Sequence, residues 1–426
     1  MRLIFTFILC VSCGDYAAAA DWPQYRGPSN DGKTPEKVGN FPSGGPRQLW
    51  KVPTPDGFSS FAVSQGKALT QIIRAVDQVP REVVIALDAD SGKELWMAVL
   101  GVPKYGHDGG NAGAGNNTGG DGPRSTPTIA GKRAYVLSSD LLLLCLDLET
   151  GNKIWSKDIM KEHAGRNIRW KNAASPLLEG DLLFMAGGGE GEALLAINAQ
   201  DGKTVWKTQD DKMTHATPVP ATIHGERQII FFTESGLVSV APKDGTVLWR
   251  YRFPFSISTA ASPIVAGDIV YCSAGYGVGA AAVKINKTGN AFAVKEIWRK
   301  PNQLMNHWST PVYKDGYLYG MFSFKEYGNG PVKCVQLATG NEIWSKEGFG
   351  PGNVILADDR LIALGDAGQL VILEATPQAY REISRFQALT GKCWSTPVLS
   401  EGRIYVRSTK EGACFDAASK LTGATP

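Results

Sequence analysis

Apolar residues in this chain come in short runs that glycine turns cut off. The run "VVIALD" (83–88) meets the turn "ADSGK" (89–93) and resumes as "ELWMAVL" (94–100). The run "LLLLCLD" (141–147) meets "LETGN" (148–152) and resumes as "KIWSKD" (153–158). Such runs fit single strands, and none sustains the 3.6-residue period of a helix. The pattern predicts an all-β chain of hairpins.

The hairpins repeat. "ALDADSGKELW" (86–96), "CLDLETGNKIW" (145–155), "AINAQDGKTVW" (196–206), "SVAPKDGTVLW" (239–249) and "CVQLATGNEIW" (334–344) share length and layout. Trp96, Trp155, Trp206, Trp249 and Trp344 each stand four residues after a glycine. A sixth copy, ending at Trp298, carries an insertion after Gly289. A period of roughly 40–50 residues points to a propeller, solenoid or array.

A second motif precedes each copy: Ser/Thr-Pro, an apolar pair, a polar turn and an aromatic strand, as in "STPTIAGKRAYVL" (125–137) and "STPVLSEGRIYV" (395–406). Each unit therefore reads as four strands. Strand A carries the proline, B the aromatics, C the "ALD" run and D the tryptophan. Proline lacks an amide donor and belongs on a sheet edge, so A is expected to line a central channel. The turn glycine permits the positive φ of a tight hairpin. Trp96, Trp155, Trp206, Trp249, Trp298 and Trp344 are expected to pack blade on blade.

Strand A starts are placed near Phe58, Ser125, Ala174, Ala216, Ala261, Ser309, Asn353 and Ser395, which makes eight units. The unit from Asn353 lacks proline and has Phe386 for tryptophan. The last unit lacks a D strand, and "RQLWKVP" (47–53) is a D strand with nothing before it. The fragments complete each other. The expectation is an eight-bladed β-propeller of four-stranded antiparallel blades, closed by its N-terminal strand, with radial repetition protecting its edges. It spans 47–420 as one domain. An extended segment, 21–46, lies along its surface, and 421–426 form a tail.

With 43% hydrophobic residues the chain can bury a large core, and a net charge of +3 without a basic run argues against nucleic acid. Residues 1–20, with Arg2, the apolar run Leu3–Val11 and Ala18-Ala19-Ala20, read as a secretory signal. Lipid attachment at Cys13 is the alternative. No other segment is apolar enough for a span. The expected location is the periplasm or cell surface, as a monomer. Cleavage leaves Cys145, Cys272, Cys334, Cys393 and Cys414, an odd number that reads as buried free thiols.

The repeat resembles the pyrroloquinoline quinone (PQQ)-type β-propeller family over about residues 45–420. One branch of that family is periplasmic quinoprotein alcohol dehydrogenases. Another is the outer-membrane protein assembly factor, a lipoprotein scaffold without cofactor. The opening "DWPQYRGPSNDG" resembles a further group of exported bacterial propellers. Fold alone does not choose among these; the site must.

Positions just ahead of strand A should ring the channel mouth. They are Arg124, Asn172, His215, Thr259, His307, Trp308, Cys393 and Trp394. Of these, Arg124, His215, His307, Trp308 and Trp394 are the candidate site, either holding a planar or anionic ligand or forming a hydrogen-bonded plug. The resemblance to quinoproteins implies calcium ligands, a carboxylate base and an adjacent cysteine pair, but no Cys-Cys occurs and these positions hold no acid. Asp108 and Asp121 in the glycine-rich loop 101–123 are acids that could approach, though nothing fixes them there, and that loop is a candidate lid. The five histidines show no zinc-like spacing. "HDGG" (107–110) reads as a solvated loop, and "GGGEGE" (187–192) has no following helix to bind phosphate. The resulting expectation is a non-enzymatic scaffold or binding module with no assigned cofactor or metal. It would meet a protein partner or a small ligand at a propeller face. The alternative is a PQQ- and calcium-dependent alcohol dehydrogenase.

Overall fold

The computed structural model describes residues 20–42, 44–103, 122–255, 257 and 259–418. They form eight antiparallel blades of four strands in the order A-B-C-D, arranged as a propeller. Blade 1 consists of Ala62–Ser64, Lys67–Val76, Val79–Asp88 and Glu94–Gly101. Blades 2 to 7 span 128–158, 177–208, 219–252, 264–300, 312–346 and 353–387. Blade 8 joins Val398–Ser400, Arg403–Arg407 and Glu411–Asp416 to Gln48–Pro53. Trp50 lies opposite Cys414 in that pairing, so the N-terminal strand closes the ring.

Each tryptophan reaches into the next blade. A Cβ on Gly92, Gly151, Gly202, Gly245 or Gly340 would strike the indole of Trp50, Trp96, Trp155, Trp206 or Trp298. The motif glycine thus has two duties, a positive φ of 67–74° and room for its neighbour's indole. The indole N–H then donates to a carbonyl of the same neighbour, for example Trp96 to Leu148 (2.9 Å) and Trp298 to Leu337 (2.8 Å). Phe386 of the degenerate blade docks on Gly45, ahead of the closing strand. Trp249 departs from the rule by donating to Gln228 Oε1 in its own blade. Its neighbour, blade 5, carries the inserted hairpin. Across from Trp96, Trp155, Trp344 and Trp50 stand Ala86, Cys145, Cys334 and Cys414, small residues beneath an indole. All five described cysteines are buried and free.

Regular pairing in most A strands starts three or four residues after the expected point, because the Ser/Thr-Pro element bonds between blades. The Thr126 N–H donates to Ser175 Oγ (2.9 Å), and Ser175 N–H to Thr217 Oγ1 (2.9 Å). Ser262 N–H donates to Thr310 Oγ1 (3.0 Å), Thr396 N–H to Ser60 Oγ (2.8 Å), and Ser60 N–H to Thr126 Oγ1 (3.1 Å). This belt of hydroxyls satisfies amides that no strand reaches.

Segment 21–46 does not simply lie along the outside. Trp22 and Arg26 are buried, at 1% and 3% exposure. Trp22 pairs with Val63 of blade 1 through both backbone groups (2.8 Å each), and Pro23 accepts from Ile129 N–H of blade 2 (2.7 Å). Arg26 donates to the Thr310 and Pro311 carbonyls of blade 6 (2.8 Å each). Lys33–Thr34 adds to blade 7 as a parallel fifth strand, and Glu36 accepts from Gly402 N–H of blade 8 (2.7 Å). The segment thus runs from blades 1 and 2 to blades 6, 7 and 8 near the A–B turns, held by the backbone of Trp22 and by the carbonyls that accept from the Arg26 guanidinium.

Two other features lock blades together. Buried Arg407 donates to Thr70 Oγ1 (2.8 Å), Gln71 O (2.6 Å), Thr54 O (3.1 Å) and Asp56 O (2.6 Å), tying blade 8 to blade 1; burial pushes its guanidinium down to about 9. His163, just past the short helix Ile159–Glu162, lies between Glu192 (2.6 Å) and Thr204 (2.9 Å) of blade 3. Glu192 comes from the "GGGEGE" loop, which therefore serves a blade joint.

Candidate functional site

The mouth is built from one repeat position. Phe58, Arg124, His215, Trp308 and Trp394 each stand two residues before the belt Ser or Thr of their blade. Ala173 and Ala260 take that position in blades 3 and 5, and Pro351 takes it in blade 7. Radial symmetry turns this linear spacing into a stack. Trp308 stacks on Trp394 with centroids 4.2 Å apart, and Trp394 on Phe58 at 4.7 Å. The Arg124 guanidinium lies over Phe58 at 5.8 Å. The stack runs through blades 6, 8, 1 and 2, with Pro351 of blade 7 accepting the Trp308 indole N–H (2.7 Å).

His307 extends the surface. It meets Trp308 edge-on at 4.8 Å, Tyr276 at 5.1 Å and Phe324 at 5.3 Å. On the far side, His215 donates from Nε2 to Lys171 O (2.8 Å) beside Trp170, and Arg124 donates to Trp170 O (3.0 Å). The five candidate residues thus share one surface. Asn172, Thr259 and Cys393 do not join it. They are buried, with Asn172 bonded to Ala174 O, Thr259 to Ser273 O and the Cys393 amide to Asp366 O.

Sequence reasoning missed Phe58, although it sits at the same repeat position as Trp308. It also missed Tyr276, Phe324 and Tyr327. These lie between strands B and C, and an antiparallel blade puts that connection on the face where strand A begins. Aromatics beside glycines in "AGYGVG" (274–279) and "FSFKEYGNG" (322–330) were the signal.

The surface is aromatic and basic. Lys392 lies over Trp394 (4.9 Å) and Tyr327 (5.2 Å), Lys325 over Tyr276 (4.8 Å), and Arg169 over Trp170 (5.4 Å). Burial pushes His215 and His307 down to about 3, helped by Arg124 at His215 and by Lys325 at His307. Both imidazoles are therefore neutral near pH 7. Asp366, whose carboxyl burial raises, accepts from Gly328 N–H (3.1 Å). Among the described residues, His307 Nδ1 and Trp394 Nε1 are buried without a hydrogen-bond partner. Rings stack here, and Trp308, His215 and Arg124 each bond to a backbone carbonyl.

These residues do not fit a calcium–quinone group. Calcium takes six to eight oxygens, carboxylates foremost. Among the described residues no cluster of three His, Cys, Asp or Glu is placed to hold a metal. Trp394 is stacked against rings from blades on either side of it. Asp108, Asp121 and most of the candidate lid 101–123 fall in 104–121, outside the described residues.

Fold and site together define a propeller of tryptophan-docking repeats whose channel mouth holds a stack of its own side chains. The chain belongs to the family described as "Outer membrane protein assembly factor BamB", whose profile matches residues 80–320 and 328–425. A relative of that name from Moranella endobia is 24% identical over 309 residues, 68% of this chain and 74% of the relative. Two solved structures share the fold. BamB from Moraxella catarrhalis has a TM-score of 0.59 at 16% identity, covering 89% of this chain and 99% of its own. Quinohemoprotein alcohol dehydrogenase from Comamonas testosteroni has a TM-score of 0.67 at 13% identity, covering 96% and 82%.

Proposed function

We propose that the protein is an exported, non-enzymatic propeller that serves as a scaffold for protein partners in outer-membrane protein assembly. The observation that carries this reading is that the chain's own Trp308–Trp394–Phe58 stack takes up the channel mouth, where the quinoprotein reading would seat its cofactor. Family membership supports the same reading, since relatives carry the name of an assembly factor.

The mouth is the partner-binding face. Trp and Arg supply most of the energy at protein interfaces, and a basic rim steers an acidic partner. The occupant is an acidic segment carrying apolar side chains, drawn by Arg124, Arg169, Lys325 and Lys392. It lies across the aromatic floor, where Ala173 and Ala260 leave room. Export by the leader brings the scaffold to the envelope, and lipidation of Cys13 is one way to hold it there.

The test is complementation. In a strain lacking this chain, the wild-type protein restores the yield of outer-membrane β-barrel proteins, and Lys325→Glu/Lys392→Glu does not. A charge-reversed variant that restores the yield in full removes the mouth from the account. Dye reduction that needs PQQ, calcium and a primary alcohol together would replace the scaffold with the dehydrogenase.

A further inference from the structure

Strand D is the outer edge of every blade, so each blade presents a row of backbone N–H and C=O groups there. Such edges recruit stray strands unless charges or proline guard them. Seven of the eight carry a basic residue within two positions of the aromatic: Lys157, Lys207, Arg250, Arg299, Lys346, Arg385 and Lys51, with Lys157 buried against Glu162. Blade 1 is the exception. Its strand Glu94–Gly101 continues after Trp96 as Met97-Ala98-Val99-Leu100, with no charge and no proline.

That edge is also the most apolar. Leu95, Val99 and Val102 are 46%, 39% and 47% exposed. Trp96 and Leu100 turn the other way and pack against blade 2. The one charged residue of the strand, Glu94, is held by both guanidinium nitrogens of Arg74 (2.8 Å each). The edge thus offers hydrogen-bonding groups and alternating apolar side chains without free charge.

We propose that the outer edge of blade 1 binds an extended, uncharged segment of a partner polypeptide as a fifth strand. The proposal rests on the scaffold reading and adds a second contact to it, far from the mouth. The chemistry selects the occupant. Open backbone groups demand an extended chain, and pockets between alternate side chains select apolar residues. The charge pattern also sorts partners, because strand D itself carries lysine or arginine near the aromatic on seven edges and none on this one, where Arg74 of strand B is neutralised by Glu94. Blade 7 shows that the fold accepts such an addition, since Lys33–Thr34 pairs with Leu356–Ala357 as a fifth strand on its inner edge.

The test uses the full chain and a capped ten-residue peptide of alternating valine and threonine. Amide exchange is followed with and without the peptide. The expected result is roughly tenfold slower exchange at alternate amides of 94–101 and no change at Thr204–Thr208, where Lys207 is exposed. Met97→Lys and Val99→Lys each abolish the protection while leaving the melting temperature unchanged. Equal protection of every D strand, or none at 94–101, overturns the proposal. So does sedimentation showing a dimer that already protects the edge, which would make the occupant a second copy. Complementation by the Lys325→Glu/Lys392→Glu variant tests the scaffold reading separately, so either idea can fail alone.

Discussion

The two ends of the channel are built in different ways. At the A–B turn end, contact runs through backbone hydrogen bonds: Trp22 with Val63, Pro23 with Ile129, and Lys33–Thr34 with Leu356–Ala357. Arg26 adds a buried cation held by carbonyls, and burial lowers its pKa. At the mouth, contact is mostly ring on ring, with half-buried Trp308 and Trp394 and two buried nitrogens left without partners. Backbone pairing fixes one geometry. Stacked rings are worth only about 0.5–1.5 kcal/mol per pair beyond burial and can re-pack. One end is therefore framework, and the other is a surface able to take a partner.

Removing the strap 47–53 strikes the framework hardest. It exposes the edge of Glu411–Asp416, and size exclusion should find aggregate in place of the wild-type species. Trp22→Ala comes next, with a loss of about 3–5 kcal/mol by urea denaturation, as for a large aromatic taken from a core. Acid then probes the mouth. His215 and His307 are held near 3 in the folded protein against an ordinary 6.5, so between those values only the unfolded chain takes up their protons. Their contribution is complete above pH 6.5 and is lost as pH falls toward 3. The expected drop is on the order of 1–2 kcal/mol per histidine between pH 7 and 5, and His215→Asn/His307→Asn should flatten it. Smallest is Trp308→Ala or Trp394→Ala, about 1–2 kcal/mol each, because these rings lose stacking and leave no sealed cavity.

Much of the framework was legible because repetition magnifies weak signals. One "TGNKIW" is any hairpin, but its copies locate blades 1 to 6, and the orphan "RQLWKVP" requires the strap. The glycine's second duty was hidden, since Gly151 meets Trp96 of the previous blade and not the Trp155 of its own motif. The role of the Ser/Thr hydroxyls was hidden for the same reason: Thr126 and Ser175 are 49 residues apart and meet only in the ring. Trp22 and Arg26 belong to no repeat, so nothing in the pattern could seat them against blades 1 and 6. At the mouth, position alone found Trp308 and Trp394. Tyr276, Phe324 and Tyr327 escaped because their loops vary in length from blade to blade.

The most direct measurement pairs stability with complementation for Trp308→Ala/Trp394→Ala. The account predicts a folded protein that keeps more stability than Trp22→Ala yet fails to restore outer-membrane β-barrel protein yield at matched abundance. Full restoration would contradict it, because the mouth would then be filler. A double variant that unfolds as readily as Trp22→Ala would contradict it too, because the mouth would then be framework like the other end.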